Sequence, residues 1–352
     1  MRPAEVSRGF ILWVEILKME WGPYFSSVLL ASALLGAAGA WIVGKFGVRL
    51  GLVDKPGQRS SHQVPTPKGG GIGILAAFLL VSWLLRIPPA FWLPAASVSL
   101  VSLVGDRVEI SPQLRLPIHF LAAFAFLLGW ERFRLWPLPD MMLFLFLSIF
   151  IVGTANFYNF MDGINGIASI TGMVAFALLG LWGVLQGFAP ADSILAFSIS
   201  LSCLGFLPFN MPKARVFLGD VGSLLLGFLF SQLVVSFTRA IPDFVLLSAF
   251  LFPFYLDELT TMAVRLRDRE NLFCPHRRHI YQLLANQGRI PHWKVSTGFG
   301  LYQLGVGTSL LLLQRQGQIA MWLPLSAWIV ASGLASIAIR DRFEGSIQSA
   351  AH

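Results

Sequence analysis

Three carboxylates stand out in a chain that carries few charges. Asp106 closes an apolar run, Asp162 sits in Asn156-Phe-Tyr-Asn159-Phe-Met-Asp162-Gly163-Ile-Asn165-Gly166, and Asp220 in Phe217-Leu-Gly219-Asp220-Val-Gly222-Ser223. Oxygen donors of this kind suit a hard cation such as Mg²⁺, which is commonly held by one or two carboxylates together with substrate phosphates. Glycines beside Asp162 and Asp220 let a phosphate approach the backbone, and a following helix N-terminus favours an anion. Asp-Gly and Gly-Asp are also ordinary turn and cap chemistry. Two such segments accompanied by Asn156, Asn159 and Asn165 point beyond that.

Two basic segments complement the carboxylates. Residues 54–71 contain Lys55, Arg59, His62 and Lys68 and end in the run Gly69-Gly70-Gly71. A glycine-rich loop entering a helix offers cations and free backbone amides to a phosphate. The second segment reads Cys274-Pro-His276-Arg277-Arg278-His279-Ile-Tyr281-Gln282. Arginine suits bidentate phosphate recognition, and two histidines three apart share a helix face. No further His or Cys stands at zinc-ligand spacing. Asp257 and Glu258 lie inside an apolar run, where ionisable groups are functional candidates by default, with pairing to Arg265 as the plainer explanation.

The elements that position these groups follow from composition. Of 352 residues, 55% are hydrophobic and only 12% charged, far from the roughly 25% charged of a soluble globular chain. Eleven apolar segments approach the length of about 20 residues that a spanning helix needs: 27–44, 71–86, 89–104, 116–130, 141–157, 165–186, 192–209, 222–238, 243–263, 296–313 and 319–339. The expectation is an all-α integral membrane protein of about 11 transmembrane helices with cytoplasmic active-site loops. Residues 1–352 then form a single polytopic domain. Within it, 1–23 make an interfacial amphipathic extension, Met19 being an alternative start, and 264–295 a cytoplasmic substrate-binding loop. Alternate loops hold 18 of the 26 Lys and Arg on one side. That excess puts the N-terminus outside and the C-terminus in the cytoplasm, and it accounts for the net charge of +8 without nucleic acid as a partner. Every polar segment described above falls on the cytoplasmic side. The residues alone thus predict a cytoplasm-facing, magnesium-assisted enzyme acting on a phosphorylated, membrane-held substrate. Cys203 and Cys274 lie in contrasting surroundings and imply no disulfide framework.

Taken in order, Val53-Asp54-Lys55-Pro56 to His62, Pro67-Lys68-Gly69-Gly70, Asn159-Phe-Met-Asp162-Gly163-Ile-Asn165-Gly166, Asn210 through Phe217-Leu-Gly219-Asp220-Val-Gly222-Ser223, and His276 to Gln282 resemble a known group. It is the polyprenyl-phosphate N-acetylhexosamine-1-phosphate transferases, the MraY/WecA-like glycosyl transferase family 4. The segment from His276 to Gln282 looks more like members that start O-antigen or related surface glycans than like MraY, whose matching segment carries a histidine run. The resemblance implies transfer of an N-acetylhexosamine-1-phosphate, or a deoxy derivative, from a UDP-sugar to undecaprenyl phosphate with release of UMP. It implies Mg²⁺, with Mn²⁺ as a substitute, a bacterial inner (plasma) membrane setting and a homodimer.

By position it makes Asp220 and Asp162 the metal residues and Asp106, Asp162, Asp220 and His279 the catalytic set. Asn210 and Phe217 would border the uridine, and Arg277 and Arg278 would contact the diphosphate sugar. Lys55, Arg59, His62, Asn156, Asn159 and Asn165 complete the substrate-binding set. The family's two adjacent aspartates read Gly105-Asp106 here. A phosphate monoester dianion is already nucleophilic, so loss of the first Asp need not abolish activity. Gly105 nonetheless keeps open an alternative, a catalytically weak relative that binds the lipid carrier in a glycan assembly complex. A secondary transporter, usually polar near the midplane and built on repeats, fits poorly with chemistry gathered at one face.

Overall fold

This computed structural model describes residues 22–56, 64–108, 111–129, 140–271, 276–314 and 316–350. Helices run over Gly22–Phe46 (α1), Ile72–Leu84 (α2), Pro89–Arg107 (α3), Pro112–Gly129 (α4), Asp140–Phe160 (α5), Ile167–Leu185 (α6), Pro190–Asn210 (α7), Asp220–Phe237 (α8), Ile241–Ser248 (α9), Phe252–Arg267 (α10), His292–Gln314 (α11) and Gln318–Ala350 (α12). Between α10 and α11 lies a short helical stretch, Ile280–Gln282 continuing into Leu283–Gln287. The residues expected to form an interfacial N-terminal extension, 1–21 at least, lie outside the described residues, as do Arg59, His62 and Cys274.

The chain is an all-α membrane protein. Each apolar segment read from the sequence is helical, and among the described residues eight helices are long and apolar enough to cross a bilayer, with α9 and α10 counted together. The helices over 72–84 and 113–129 are shorter, and α11 is not among the eight. The expected figure of about 11 crossings is therefore not established. Apolar side chains such as Leu323, Val330, Leu334 and Ile337 of α12 stand exposed on the outer surface, as lipid-facing side chains do.

Helix α8 is the core of the bundle: every residue from Val221 to Phe237 is buried, chiefly against α3 and α5. Helix α7 packs between α1 and α6. Without a hydrophobic driving force between helices in lipid, close packing and interhelical hydrogen bonds hold such a bundle. Both are present. The buried Gln232 of α8 donates to the Phe91 carbonyl of α3 (3.0 Å), and Ser99 of α3 donates to the Val221 carbonyl (2.7 Å). The buried Gln303 of α11 donates to the carbonyls of Thr171 (3.1 Å) and Phe250 (2.7 Å). Phe250 belongs to the tight turn Ala249–Leu251 that separates α9 from α10, just before Pro253, which lacks the N–H a continuous helix needs there.

Glycines admit the closest contact, between α1 and α7. A side chain at Gly36 would collide with the Ser202 carbonyl, and one at Gly205 with the Ala33 carbonyl. Gly205→Val is expected to destabilise the protein by about 1–3 kcal/mol through overpacking, visible as a lower melting temperature in detergent. An unchanged melting temperature would show that the two helices do not meet there.

Candidate active site

The first turn of α8 is built from three distant pieces of chain. Asp106, at the end of α3 and only 5% exposed, accepts the backbone N–H of Asp220 (3.3 Å) and of Val221 (3.2 Å). It thereby caps two of the amides that a helix start leaves without partners. Lys68 Nζ lies 3.6 Å from the same carboxylate. The stretch around Lys68 is bound to the chain entering α8: Phe217 N–H donates to the Pro67 carbonyl (2.8 Å), Gly70 N–H to Phe217 (2.9 Å) and Gly71 N–H to Leu218 (2.9 Å). The two-stranded pairing of Val53–Asp54 with Thr66–Pro67 anchors the other end of this loop.

These bonds correct one expectation. The amides of Gly70 and Gly71 are not free for a phosphate, because both are bonded to backbone carbonyls. The glycine run serves close packing instead. A side chain at Gly71 would fall 2.7 Å from Gly222 N, and Gly219, with φ +76°, lies against both Gly69 and the Asp106 carboxylate. A side chain at Gly219 would be strained whatever space it had.

Asp162 lies on the loop joining α5 to α6. That loop turns into α6 through Gly166, at φ +85°. The Gly166 N–H donates to Asn210 Oδ1 (2.6 Å), while Asn210 Nδ2 donates to the Val216 carbonyl (2.9 Å), so one buried amide side chain ties the Asp162 loop to the Asp220 loop. Tyr281 packs against Gly163 and donates to the Phe160 carbonyl (3.1 Å). Ser296 donates to the Asn165 carbonyl (2.8 Å).

These loops line a cleft of about 360 Å³ containing Asp54, Lys68, Asp106, Asn159, Asp162, Asn165, Asn210, Phe217, Asp220, Gln282 and His292. A wider cavity of about 810 Å³ adjoins it, sharing Asn165 and His292 and walled by Met211, Lys213, Arg215 and Trp293. Arg115 of α4 pairs with the Asp220 carboxylate. Its guanidinium lies over Gly105, where an added Cβ would stand 3.0 Å from Nη2.

The donor set fits Mg²⁺. It is all oxygen, and burial first, then the negative neighbours Asp220 and Asp106, hold the Asp162 carboxyl well above the usual carboxylate range. A cation between Asp162 and Asp220 is the counter-charge such a group of carboxylates calls for. Among the described residues no group of three or more His, Cys, Asp or Glu side chains is arranged to hold a metal ion. Two carboxylates completed by substrate oxygens and water form the open arrangement that Mg²⁺ commonly adopts.

The segment from His276 to Gln282 is held by acidic residues of α10 and of the chain that follows it. Asp257, 1% exposed, accepts the N–H of Ile280 (2.8 Å) and Tyr281 (3.2 Å), capping the short helix. His279 Nδ1 lies 3.4 Å from Asp257 and 3.5 Å from Glu258, and its ring stacks on Tyr281 with centroids 5.5 Å apart. Arg278 pairs with Asp268 (2.7 Å) and Glu270 (2.6 Å). Its hydrogen bond and that of Arg267 keep the Asp268 carboxyl below its ordinary value. Burial, then the nearby His279 and Arg265, lower His276 to about 4, so its ring is neutral at pH 7.

Of the sequence-derived candidates, the cleft brings together Asp106, Asp162, Asp220, Asn159, Asn165, Asn210 and Phe217. Lys55 is exposed outside it, and Asn156 turns back to the Val152 carbonyl (2.7 Å). His279, Arg277 and Arg278 are not among its lining residues. The cation at the cleft is Lys68, with Arg115 beside it on Asp220. Lys68 stood in the quoted loop, whereas Arg115 carried no local signal beyond its charge. Gln282 and His292 also line the cleft; the first ended a recognised motif and the second had no motif around it. Gly105→Asp is expected to fold without loss of thermal stability, because the new side chain meets the flexible end of Arg115. Asp106→Ala, which uncaps α8, is expected to lose about 0.5–2 kcal/mol in detergent unfolding.

The model of glycosyl transferase family 4 matches residues 89–238, a span that includes Asp106, Asp162 and Asp220. An undecaprenyl-phosphate alpha-N-acetylglucosaminyl 1-phosphate transferase of Thermotoga maritima is 29% identical over 260 residues, covering 72% of this chain and 79% of that protein. A decaprenyl-phosphate N-acetylglucosaminephosphotransferase of Mycobacterium leprae is 26% identical over 309 residues, 74% of this chain and 76% of the other. A phospho-N-acetylmuramoyl-pentapeptide-transferase of a Synechococcus species is 37% identical over 227 residues, 58% and 65% of the two chains.

Proposed function

We propose that this chain, which belongs to glycosyl transferase family 4, transfers an N-acetylhexosamine-1-phosphate, or a deoxy derivative, from a UDP-sugar to undecaprenyl phosphate. The observation that carries the reading is the convergence of Asp106, Asp162 and Asp220 with Lys68 at one cleft of a membrane bundle. An oxygen of the lipid phosphate attacks the sugar-bearing phosphorus. A new P–O–P linkage forms, the bond from that phosphorus to the oxygen bridging to UMP breaks, and UMP leaves with the electron pair. The acceptor is a dianion and needs no base, so positioning and charge stabilisation do most of the work. Asp162 and Asp220 would hold Mg²⁺, which would supply Lewis-acid neutralisation of the phosphate oxygens. Lys68 and Arg115 add cationic stabilisation from the protein itself. Asp106 acts on geometry by fixing the first turn of α8. The adjoining cavity, with Trp293, Lys213 and Arg215, gives the donor room beyond its phosphates.

On this reading the chain sits in a bacterial inner membrane with the cleft in the cytoplasm, the N-terminus outside and the C-terminus inside. This is the first membrane step of a cell-surface glycan, O-antigen or similar, and a homodimer is the expected assembly. The test is incorporation of label from a panel of UDP-N-acetylhexosamines into extractable lipid, with and without Mg²⁺. Asp220→Asn is expected to lower incorporation by about 100-fold or more, and chelation to abolish it. Label unaffected by Asp220→Asn would sink the metal assignment. No label from any donor would favour the lipid-binding relative that Gly105 suggests. Gly105→Asp is expected to raise turnover or leave it unchanged; a sharp loss would show that this residue does not stand where the family's first aspartate does.

A further inference from the structure

We infer that Arg340 is a positioning residue for the cytoplasmic segment from His276 to Gln282, acting through the Arg278 carbonyl and the Thr261 hydroxyl. The inference rests on the transferase reading for its link to catalysis, but its geometry stands independently. Helix α12 exposes apolar side chains along most of its length, and Arg340 is an exception, with only 5% of its surface exposed. Its Nη1 donates to the Arg278 carbonyl (2.8 Å) and its Nη2 to Thr261 Oγ1 (2.7 Å). Thr261 in turn donates to Asp257 Oδ1 (3.1 Å), the carboxylate that accepts the N–H groups of Ile280 and Tyr281.

Arg340 and Asp257 thus grip the same short backbone from two sides, one at its carbonyl and one at its amides, and Thr261 joins the two grips. The next residue, Gln282, reaches the cleft. A guanidinium removed from water is retained only where its donors find partners. Here Nη1 bonds to the segment whose backbone must hold still for Gln282 to line the cleft, and Nη2 bonds to the Thr261 that braces Asp257. A shift of even 1 Å there would disturb substrate placement. Helix α12 therefore acts on the site without touching substrate.

The test uses the full chain in detergent with Arg340→Met, which keeps length and removes the donors, and Arg340→Lys, which keeps a cation. Thr261→Val, which removes one hydroxyl, is the milder second variant. Tryptic cleavage after Arg277 or Arg278, relative to cleavage after Arg215, is expected to rise about 5- to 10-fold in Arg340→Met, the size of effect for loss of one or two hydrogen bonds. A smaller rise is expected in Thr261→Val. The KM for UDP-N-acetylglucosamine is expected to rise by a similar factor while the KM for undecaprenyl phosphate stays put, with most of the change restored by Arg340→Lys. A merely structural role would instead lower the amount of active protein and leave both KM values unchanged. An unaltered cleavage ratio, or equal shifts in both KM values, would overturn the inference. Failure of the unaltered chain to label lipid would sink the transferase reading alone, and the cleavage ratio would still decide the positioning role.

Discussion

The carboxylate of Asp106 joins the parts of the cleft. Helix α8 begins at the half-buried Gly219 and Asp220 on the edge of the cleft, and the first amides of a helix have no partners within the helix. Asp106 meets two of them from the end of α3, more than a hundred residues earlier in the chain. An acidic group at a helix N-terminus also opposes the helix dipole favourably. The same side chain draws in Lys68, and the loop behind Lys68 is laced to the chain entering α8. Asp220 therefore stands where it does because Asp106 holds the turn it belongs to.

That arrangement explains the glycines better than phosphate binding does. The backbone at 69–71 lies so close to 219–222 that side chains at Gly71 or Gly219 would collide with it. Loop and helix start are pressed together until their backbone groups bond directly. The cations and carboxylates nearby are then carried on a rigid frame. Preorganised charge of this kind is what phosphoryl transfer demands, since little covalent chemistry falls to the protein.

Much of this was legible in the sequence, and the pattern of what was not is physical. Apolar runs located the helices, because a bilayer imposes length and composition together. The three carboxylates, too, were visible as rarities. Partners were not visible, because they are pairs of residues far apart in sequence: Arg115 with Asp220, Asp257 with Ile280, Arg340 with Arg278. A lysine in a polar loop looks the same whether it faces a cleft or water, so Lys55 and Lys68 could not be told apart before the loop was folded. His279 and Arg278 read as substrate ligands, and the structure sets His279 Nδ1 beside Asp257 and Glu258 and pairs Arg278 with Asp268 and Glu270. Their residue types suited phosphate and carboxylate equally well, and only geometry separates the two.

The distribution of polar groups along the bundle carries one last step. Behind the cleft the interior is filled by large side chains with almost no exposed surface, among them Tyr158, Phe176, Trp182, Phe228, Phe230 and Phe237. The polar groups among them, such as Gln232 and Gln303, bond to backbone carbonyls and fasten one helix to the next. A polar path through the bilayer would need side chains that face one another across water, and the buried amides here face the backbone instead. Asp106, Asp162, Asp220 and the group around Asp257 stand at the cleft end of the bundle, while Asp192, Arg239 and Asp243 stand at the other ends of α7, α8 and α9. A packed interior with a charged cap suits a protein that meets a water-soluble phosphate compound and a lipid phosphate at the same surface, with its helices as the wall along which the lipid chain can lie.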